Sequence, residues 1–282
     1  MFASEIDEKA RETYRLNFAQ LSPGVFSKNE QFFNKDITTV DLDLKPEAIP
    51  YFDILCGGFP CQPFSNAGKR EGFQDKKNRG LLFNNILHIL EKSEAKAVFL
   101  ENVRGLRSHK FDGGHTLEII MEKLREAGFF ARHYDVKASD FGLPQHRPRI
   151  FIVGFRQQGM LERFEEHLPT TPLPLNLTMS EVMGGSVDRD IGFTLRLGGR
   201  GSGVGDRRNW DEYLVDGVPT RLHSSQALQM QGFPAEFRFP ESLSESGRMK
   251  QLGNSVAVPA ISYYADAIVR ALKVVNPARQ DP

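Results

Sequence analysis

The sequence predicts an α/β chain with a parallel sheet covered by helices on both faces, followed by a second, smaller and irregular domain. Three observations carry this reading. Short apolar runs alternate with amphipathic stretches through the first half. The runs are apolar throughout rather than at every second position, as in strands buried on both faces. After about residue 156 the periodicity stops, and proline and glycine become frequent.

Ala10, Tyr14 and Phe18 share one face of a first helix. The run Phe52–Cys56 is strand-like and ends in Gly57 and Gly58. Leu82, Ile86, Ile89 and Leu90 then recur at helical spacing. Ala97–Leu100 is the next strand-like run. Leu117, Ile120, Met121 and Leu124 form a helical stripe that Gly128 stops. Ile150–Val153 is a further strand ending in Gly154. Ligands in such sheets sit at the carboxyl ends of the strands, which points to the segments after Cys56, Leu100 and Gly154. Residues 157–220 hold Pro169, Pro172, Pro174, the glycine-rich run Gly198–Gly205 and the single tryptophan, Trp210. Ile261, Tyr264, Ala265, Ile268 and Leu272 form a last helical stripe, with Pro259 at its start. The expected division is 1–156, a second domain over 157–245, and a segment 246–282 returning to the first.

At 282 residues the chain has about two domains' worth of length. With 40% hydrophobic and 26% charged residues it is not a mainly disordered chain. No apolar run reaches the roughly 18 residues of a spanning helix, and Met1–Arg15 lacks the pattern of a secretory signal. A cytoplasmic protein is expected. Cys56 and Cys61 are too few for a disulfide scaffold or a cysteine zinc site, so no metal is expected. Basic and acidic residues balance at 36 each, which argues against a binder driven by bulk positive charge. Three segments are locally basic: 67–79, 145–156 and 189–208. They form either one positive face or three solvated loops.

Cys61 lies in the proline- and glycine-rich stretch Gly57–Ser65, directly after a strand. It is either a buried, inert thiol or a nucleophile at the sheet's ligand-binding edge. Cys56, inside the apolar run, reads as buried and inert. Glu101 ends the next strand, where it is a general acid, a helix cap or a solvated acid. Arg147 and Arg149 alternate along an extended segment that Pro148 stiffens. They stabilise an oxygen or a phosphate, or form surface ion pairs. A nucleophile, an acid and an arginine pair on three strand ends form a catalytic constellation.

Pro60-Cys61-Gln62, Glu101-Asn102-Val103, Gln145-x-Arg147-x-Arg149 and Gly253-Asn254-Ser255-Val256 follow one another in the order found in DNA (cytosine-5)-methyltransferases. Arg221–Pro234 resembles that family's penultimate motif. Ala3–Asp7 and Asn34–Ile37 resemble its cofactor-ribose and adenine segments. The resemblance covers nearly the whole chain except 157–220.

The resemblance implies a Rossmann-like, S-adenosylmethionine-dependent methyltransferase sheet with a target-recognition domain. It implies methyl transfer to C5 of a cytosine flipped out of a specific duplex sequence, within a restriction–modification system that also has a cognate endonuclease. Cys61 would attack C6, Glu101 would hold or protonate N3, and Arg147 and Arg149 would support the cytosine oxygen and nearby phosphate. Asn102 would orient the Pro60–Cys61 loop, with Gln62 beside it. Glu5 would hold the ribose, and Ile6 and Ile37 the adenine ring. Asp36 would take the adenine amino group. Pro60 and Leu82 would line the pocket, and Asn254, Ser255 and Val256 would close it. Ser65, Lys69 and Arg79 would belong to a loop closing over DNA. Arg196, Arg200, Arg207 and Arg208 would contact bases and phosphates in the recognition domain. A monomer is expected.

The chain departs from the family pattern in two places. The family opens with a strand and a Phe-x-Gly-x-Gly-Gly loop, and this chain begins at about the following strand. That predicts a clipped start or a degenerate relative, with exposed apolar surface where the strand would pair. The Gly198–Gly205 run is no substitute. Gln226 stands where the penultimate motif carries an acid. Two other readings stay open: a DNA-binding pseudo-enzyme and a tRNA cytosine methyltransferase. A thiol redox enzyme is disfavoured by the Cys56-x4-Cys61 spacing.

Overall fold

The structure is a computed structural model that describes residues 1–59, 81–111, 114–198 and 201–273. The chain opens with β1 (Ala3–Ser4), α1 (Glu8–Phe18), α2 (Pro23–Glu30) and β2 (Phe33–Asn34). Asp7 caps α1 by accepting from the Lys9 and Ala10 amides at 3.0 and 3.2 Å. β1 and β2 pair in parallel as a two-stranded sheet of their own.

Then come β3 (Ile54–Gly58), α3 (Leu81–Lys92), β4 (Ala97–Val103), β5 (Lys110–Phe111), β6 (Gly114–His115), α4 (Thr116–Glu126), β7 (Phe130–Lys137) and β8 (Pro148–Phe155). The main sheet has the order β3-β4-β8-β7. Only β3 and β4 run parallel; β8 is antiparallel to both β4 and β7. The sheet is therefore mixed, not parallel as expected. This moves one edge assignment. Gly154 lies at the end opposite to Glu101, and it is the start of β8 that reaches the carboxyl end of β4, with Arg149 opposite Val103.

β7 carries no apolar signature because it is an edge strand, with Phe130, Arg132, His133 and Asp135 exposed. On the central strands, alternate residues feed two cores. Phe99, Phe151 and Val153 pack with α5 (Met160–Glu166) and the last helix. Val98, Leu100, Ile150 and Ile152 pack with α3 and α4. Each such side chain contributes about 1.5–3 kcal/mol on burial.

α6 (Met179–Met183), β9 (Glu212–Val215), β10 (Val218–Arg221), α7 (Ser224–Met230) and α8 (Glu245–Asn254) surround a third core of Leu195, Trp210, Tyr213, Leu222, Met230, Met249 and Leu252. α9 (Val258–Lys273) returns to the main sheet through Tyr264 and Ile268. The boundaries thus differ from the expected ones. Met160, Leu161 and Phe164 of α5 belong to the first core, and Met249 and Leu252 of α8 to the third.

Cys56 also differs from expectation. Among the described residues β3 pairs on one side only, and Cys56 is exposed rather than buried. The apolar atoms around its sulfur still push its thiol up, so it is a poor nucleophile at neutral pH.

Candidate active site

The candidate site lies where β3 and β4 finish together, with Gly58 opposite Glu101. Glu101 Oε1 lies 2.7 Å from Arg149 Nε, and both side chains are mostly buried, at 21% and 14% exposure. Arg149 also donates to the Pro148 carbonyl at 2.9 Å. Such a charge-assisted contact fixes the carboxylate before any ligand arrives. Asn102, the next residue, is buried and donates from Nδ2 to the Phe59 carbonyl at 3.1 Å. Its Oδ1 accepts from the Val103 amide at 2.8 Å. Asn102 thus ties down the residue immediately before Pro60. Pro60, Cys61, Gln62, Ser65, Lys69, Arg79 and Arg200 lie outside the described residues.

Arg147 departs from the reading that aimed it at cytosine or phosphate. It is 2% exposed. Its guanidinium donates to the carbonyls of Leu195 at 3.2 Å, Gly253 at 3.1 Å and Ser255. Burial, reinforced by Arg149, pushes its pKa down to about 9, so it stays charged at neutral pH. A cation enclosed by three carbonyls is a structural tie between β8, the third core and the turn before α9.

Its neighbours do the same. Gln145 donates to the Met230 carbonyl at 3.3 Å and accepts from the Leu195 amide at 3.4 Å. His146 and Gly192 pair through backbone at 2.8 Å. At Gly192 an added Cβ would meet Met179 and Tyr213 at 2.7 Å, and at Gly253 it would meet the Arg196 backbone at 3.0 Å. A side chain at either position would crowd these neighbours.

The expected cofactor residues gather at the carboxyl ends of β1 and β2. The Glu5 amide donates to the Asn34 carbonyl at 3.2 Å, which sets Glu5–Ile6 beside Asp36–Ile37. Ile6 is 65% exposed. Glu5 accepts from the Asp7 amide at 2.8 Å, and Asp36 accepts from the Thr38 amide and hydroxyl at 3.0 and 2.7 Å. Leu82 is half-buried in the first turn of α3.

Two adjacent acid–isoleucine pairs with an uncovered apolar side chain fit a ribose and an adenine ring. The sequence reading missed Arg11. It is buried, stacks on Phe33 at 3.9 Å and donates to the carbonyls of Asn34 at 2.7 Å, Phe33 at 3.0 Å and Glu5 at 3.4 Å. Only a polar residue on the inner face of α1 marked it in the sequence. Asn254 is exposed, and Ser255 and Val256 are half-buried after α8. Gln226 closes a capping box by accepting from the His223 amide at 2.9 Å, the role its expected acid would play.

Of the arginines read as DNA contacts, Arg196 and Arg207 are exposed. Arg208 pairs with Asp206 at 2.8 Å and holds that carboxyl down at about 2.

The family model of C-5 cytosine-specific DNA methylases matches residues 1–191 and 194–270. The chain belongs to that family. It is a C-5 cytosine methyltransferase by family and fold. It is 34% identical over 297 residues to the type II methyltransferase M.MspI of Moraxella sp., covering 98% of this chain and 66% of that protein. It is 30% identical over 303 residues to the type II methyltransferase M.HhaI of Haemophilus parahaemolyticus, covering 94% and 86%. Among solved structures, the Entamoeba histolytica methyltransferase EhMeth superposes with a TM-score of 0.67 at 13% identity, covering 96% of this chain and 90% of that one. S. pombe Dnmt2 follows with 0.64 at 17%, covering 98% and 91%. These likenesses establish the α/β methyltransferase fold.

Proposed function

We propose that this methyltransferase adds a methyl group to C5 of a cytosine flipped out of duplex DNA, through a covalent bond from Cys61 to C6. The observation that carries the reading is the buried Glu101–Arg149 pair at 2.7 Å, beside Asn102 and the segment leading to Cys61.

The Cys61 thiolate adds to C6, and Glu101 holds a proton at N3 so that the ring accepts the electron pair. Arg149 orients Glu101 and would support the cytosine oxygen. S-adenosylmethionine supplies an electrophilic methyl group when bound beside Glu5, Ile6, Asp36, Ile37 and Leu82. Once C5 had taken the methyl group, with the broken S–C electron pair left on the cofactor's sulfur, loss of the C5 proton to a solvent base would expel the Cys61 thiolate, and the N3 proton would return to Glu101. Asn254, Ser255 and Val256 close the cofactor side.

The third core, with Arg196, Arg207 and Arg208 exposed on its loops, is the target-recognition unit, and Arg200 is assigned to it by sequence. Duplex DNA is the substrate, a monomer the working form and the cytoplasm the setting. A cognate restriction endonuclease is the genetic partner. No helix among the described residues is long and apolar enough to cross a membrane.

The test is transfer of labelled methyl to mixed-sequence duplex DNA. Cys61→Ser abolishes it while DNA binding persists. Turnover by that variant would remove Cys61 as the nucleophile. DNA binding by the parent chain without cofactor binding or methyl transfer would mark a pseudo-enzyme, and transfer to tRNA alone would replace the substrate.

A further inference from the structure

β4 runs past the catalytic pair into a 3-10 turn, Arg104–Arg107, whose Leu106 is fully buried in the core under α3 and α4. The turn is thus rigidly attached to the strand that carries Glu101 and Asn102. Arg104 and Arg107 both project to the surface, with side chains 58% and 49% exposed. Both reach the same acid, Asp135 of β7, Arg104 at 4.0 Å and Arg107 in closer contact. One exposed carboxylate faces two guanidinium groups, so the cluster keeps a net positive charge.

Exposed Lys110 and Lys137 extend it. Lys137 lies opposite Pro148, next to the position that Arg149 takes across from Val103. Asp140, three residues on, is half-buried and is the other acid nearby in sequence. Beside Arg107 a cleft of about 500 Å³ runs between α4 and β7. Arg125, His115 and His133 line it with Glu118 and Glu122. His115 sits at the N-terminus of α4, and its buried Nδ1 has no hydrogen-bond partner in the structure.

We propose that Arg104 and Arg107 bind the sugar–phosphate backbone of duplex DNA beside the flipped cytosine, with Lys110 and Lys137 flanking them. This surface is separate from the recognition loops of the third core, and it rests on the DNA-methylating reading above. Three features support it. The positive charge lies at the same sheet end as Glu101 and Arg149. It sits against α4, with Leu106 anchored in the core that α3 and α4 cover. Its exposed ion pairs are weak enough to exchange Asp135 for phosphate. Such contacts position the duplex without reading its sequence.

The test is fluorescence anisotropy with a labelled mixed-sequence duplex over a series of salt concentrations, using the full chain. Replacing both arginines, Arg104→Gln with Arg107→Gln, weakens binding about ten-fold or more at roughly 0.1 M salt. It lowers the salt slope by about 1.8, two phosphate contacts at about 0.9 each. Asp135→Asn, which releases both arginines, tightens binding. S-adenosylmethionine binding stays unchanged in both.

An unaltered slope in a double variant that still melts cooperatively would overturn the proposal while leaving the methyltransferase reading intact. If the double variant does not fold, Asp135→Asn decides: unchanged or weaker DNA binding overturns the proposal. A parent chain that binds no duplex overturns both readings.

Discussion

Glu101 and Glu5 are both half-buried acids at the carboxyl end of a strand, Glu101 still inside the paired strand and Glu5 just past it, yet the molecule holds them by different means. Glu101 ends a strand whose Ala97–Leu100 are all buried and which pairs on both sides. Arg149 of the neighbouring strand grips it at 2.7 Å. Glu5 follows a strand of two residues in a separate sheet, and its carboxylate holds only its own turn. Glu101, proposed as the catalytic acid, takes its position from the main core. Glu5, proposed to hold the cofactor, takes its position from a local turn, from Arg11, and from links to the third core.

Those links are specific. Asn17 of α1 exchanges two hydrogen bonds with the backbone of Arg238, at 2.8 and 2.9 Å. Asp7 meets Lys250 of α8 at 3.1 Å.

The contrast gives its largest expected effect at Glu101. Glu101→Gln keeps the size of the side chain but removes the charge that pairs with Arg149 and the proton held at N3. Methyl transfer falls by about 10²–10⁴-fold, the usual contribution of a positioned general acid. DNA and cofactor affinities change far less, as measured by single-turnover transfer and equilibrium binding. A loss of folding stability with little loss of rate would instead make Glu101 a structural acid.

Arg147 comes next, and its effect is on stability. Arg147→Ala leaves the carbonyls of Leu195, Gly253 and Ser255 without their donor and opens a cavity. The expected loss is about 3–5 kcal/mol, in the range for removing a buried charged partner. Urea unfolding reads it. Arg147→Lys recovers only part, because a single ammonium cannot span three acceptors. Retained stability with a loss confined to DNA affinity would return Arg147 to phosphate binding.

Arg11 tests the cofactor half. Arg11→Lys keeps the charge but loses the forked contact with the ends of β1 and β2. The KM for S-adenosylmethionine rises by about ten-fold while kcat at saturating cofactor holds, equal to about 1.4 kcal/mol of binding. A drop in kcat with unchanged KM would show that these strand ends do not form the cofactor site.

How much of this was readable in advance follows the same contrast. Elements set by local periodicity were legible: α1, α3, α4 and α9 fall where the apolar stripes place them, and α9 starts at its proline. So was the meeting of Glu101, Asn102 and Arg149, because each lies at an end of an apolar strand. The direction of β8 was not legible, since an apolar run reads the same whether the strand is parallel or antiparallel. That hid the placement of the start of β8, and not the residues after Gly154, at the carboxyl end of β4 beside Glu101. β7 was missed because an edge strand has no need of an apolar pattern. Arg147 and Arg11 look like surface cations in one dimension. Only the fold supplies the carbonyls that surround them.

The smallest expected effect concerns the outer tie between the halves. Lys250 holds the Asp7 carboxyl below the usual aspartate range, mainly by its hydrogen bond, with help from the amides of Ala10 and Lys9. A carboxyl whose pKa is depressed on folding contributes stability above its unfolded pKa. That contribution is lost as pH falls through the folded value. The Asp7–Lys250 stabilisation is therefore full at neutral pH and disappears on the acid side of about pH 4. Both side chains are substantially exposed, at 40% and 59%, so the pair is worth at most about 1 kcal/mol and weakens with salt. Lys250→Met lowers the melting temperature slightly at pH 7, and the difference between the two proteins shrinks as pH falls through the folded pKa of Asp7. Because the tie joins the proposed cofactor-binding strands to the third core rather than to the main sheet, the same substitution is expected to weaken S-adenosylmethionine binding slightly and to leave the single-turnover rate at saturating cofactor unchanged. A change in that rate would show that the two halves are coupled more tightly than their separate sheets imply.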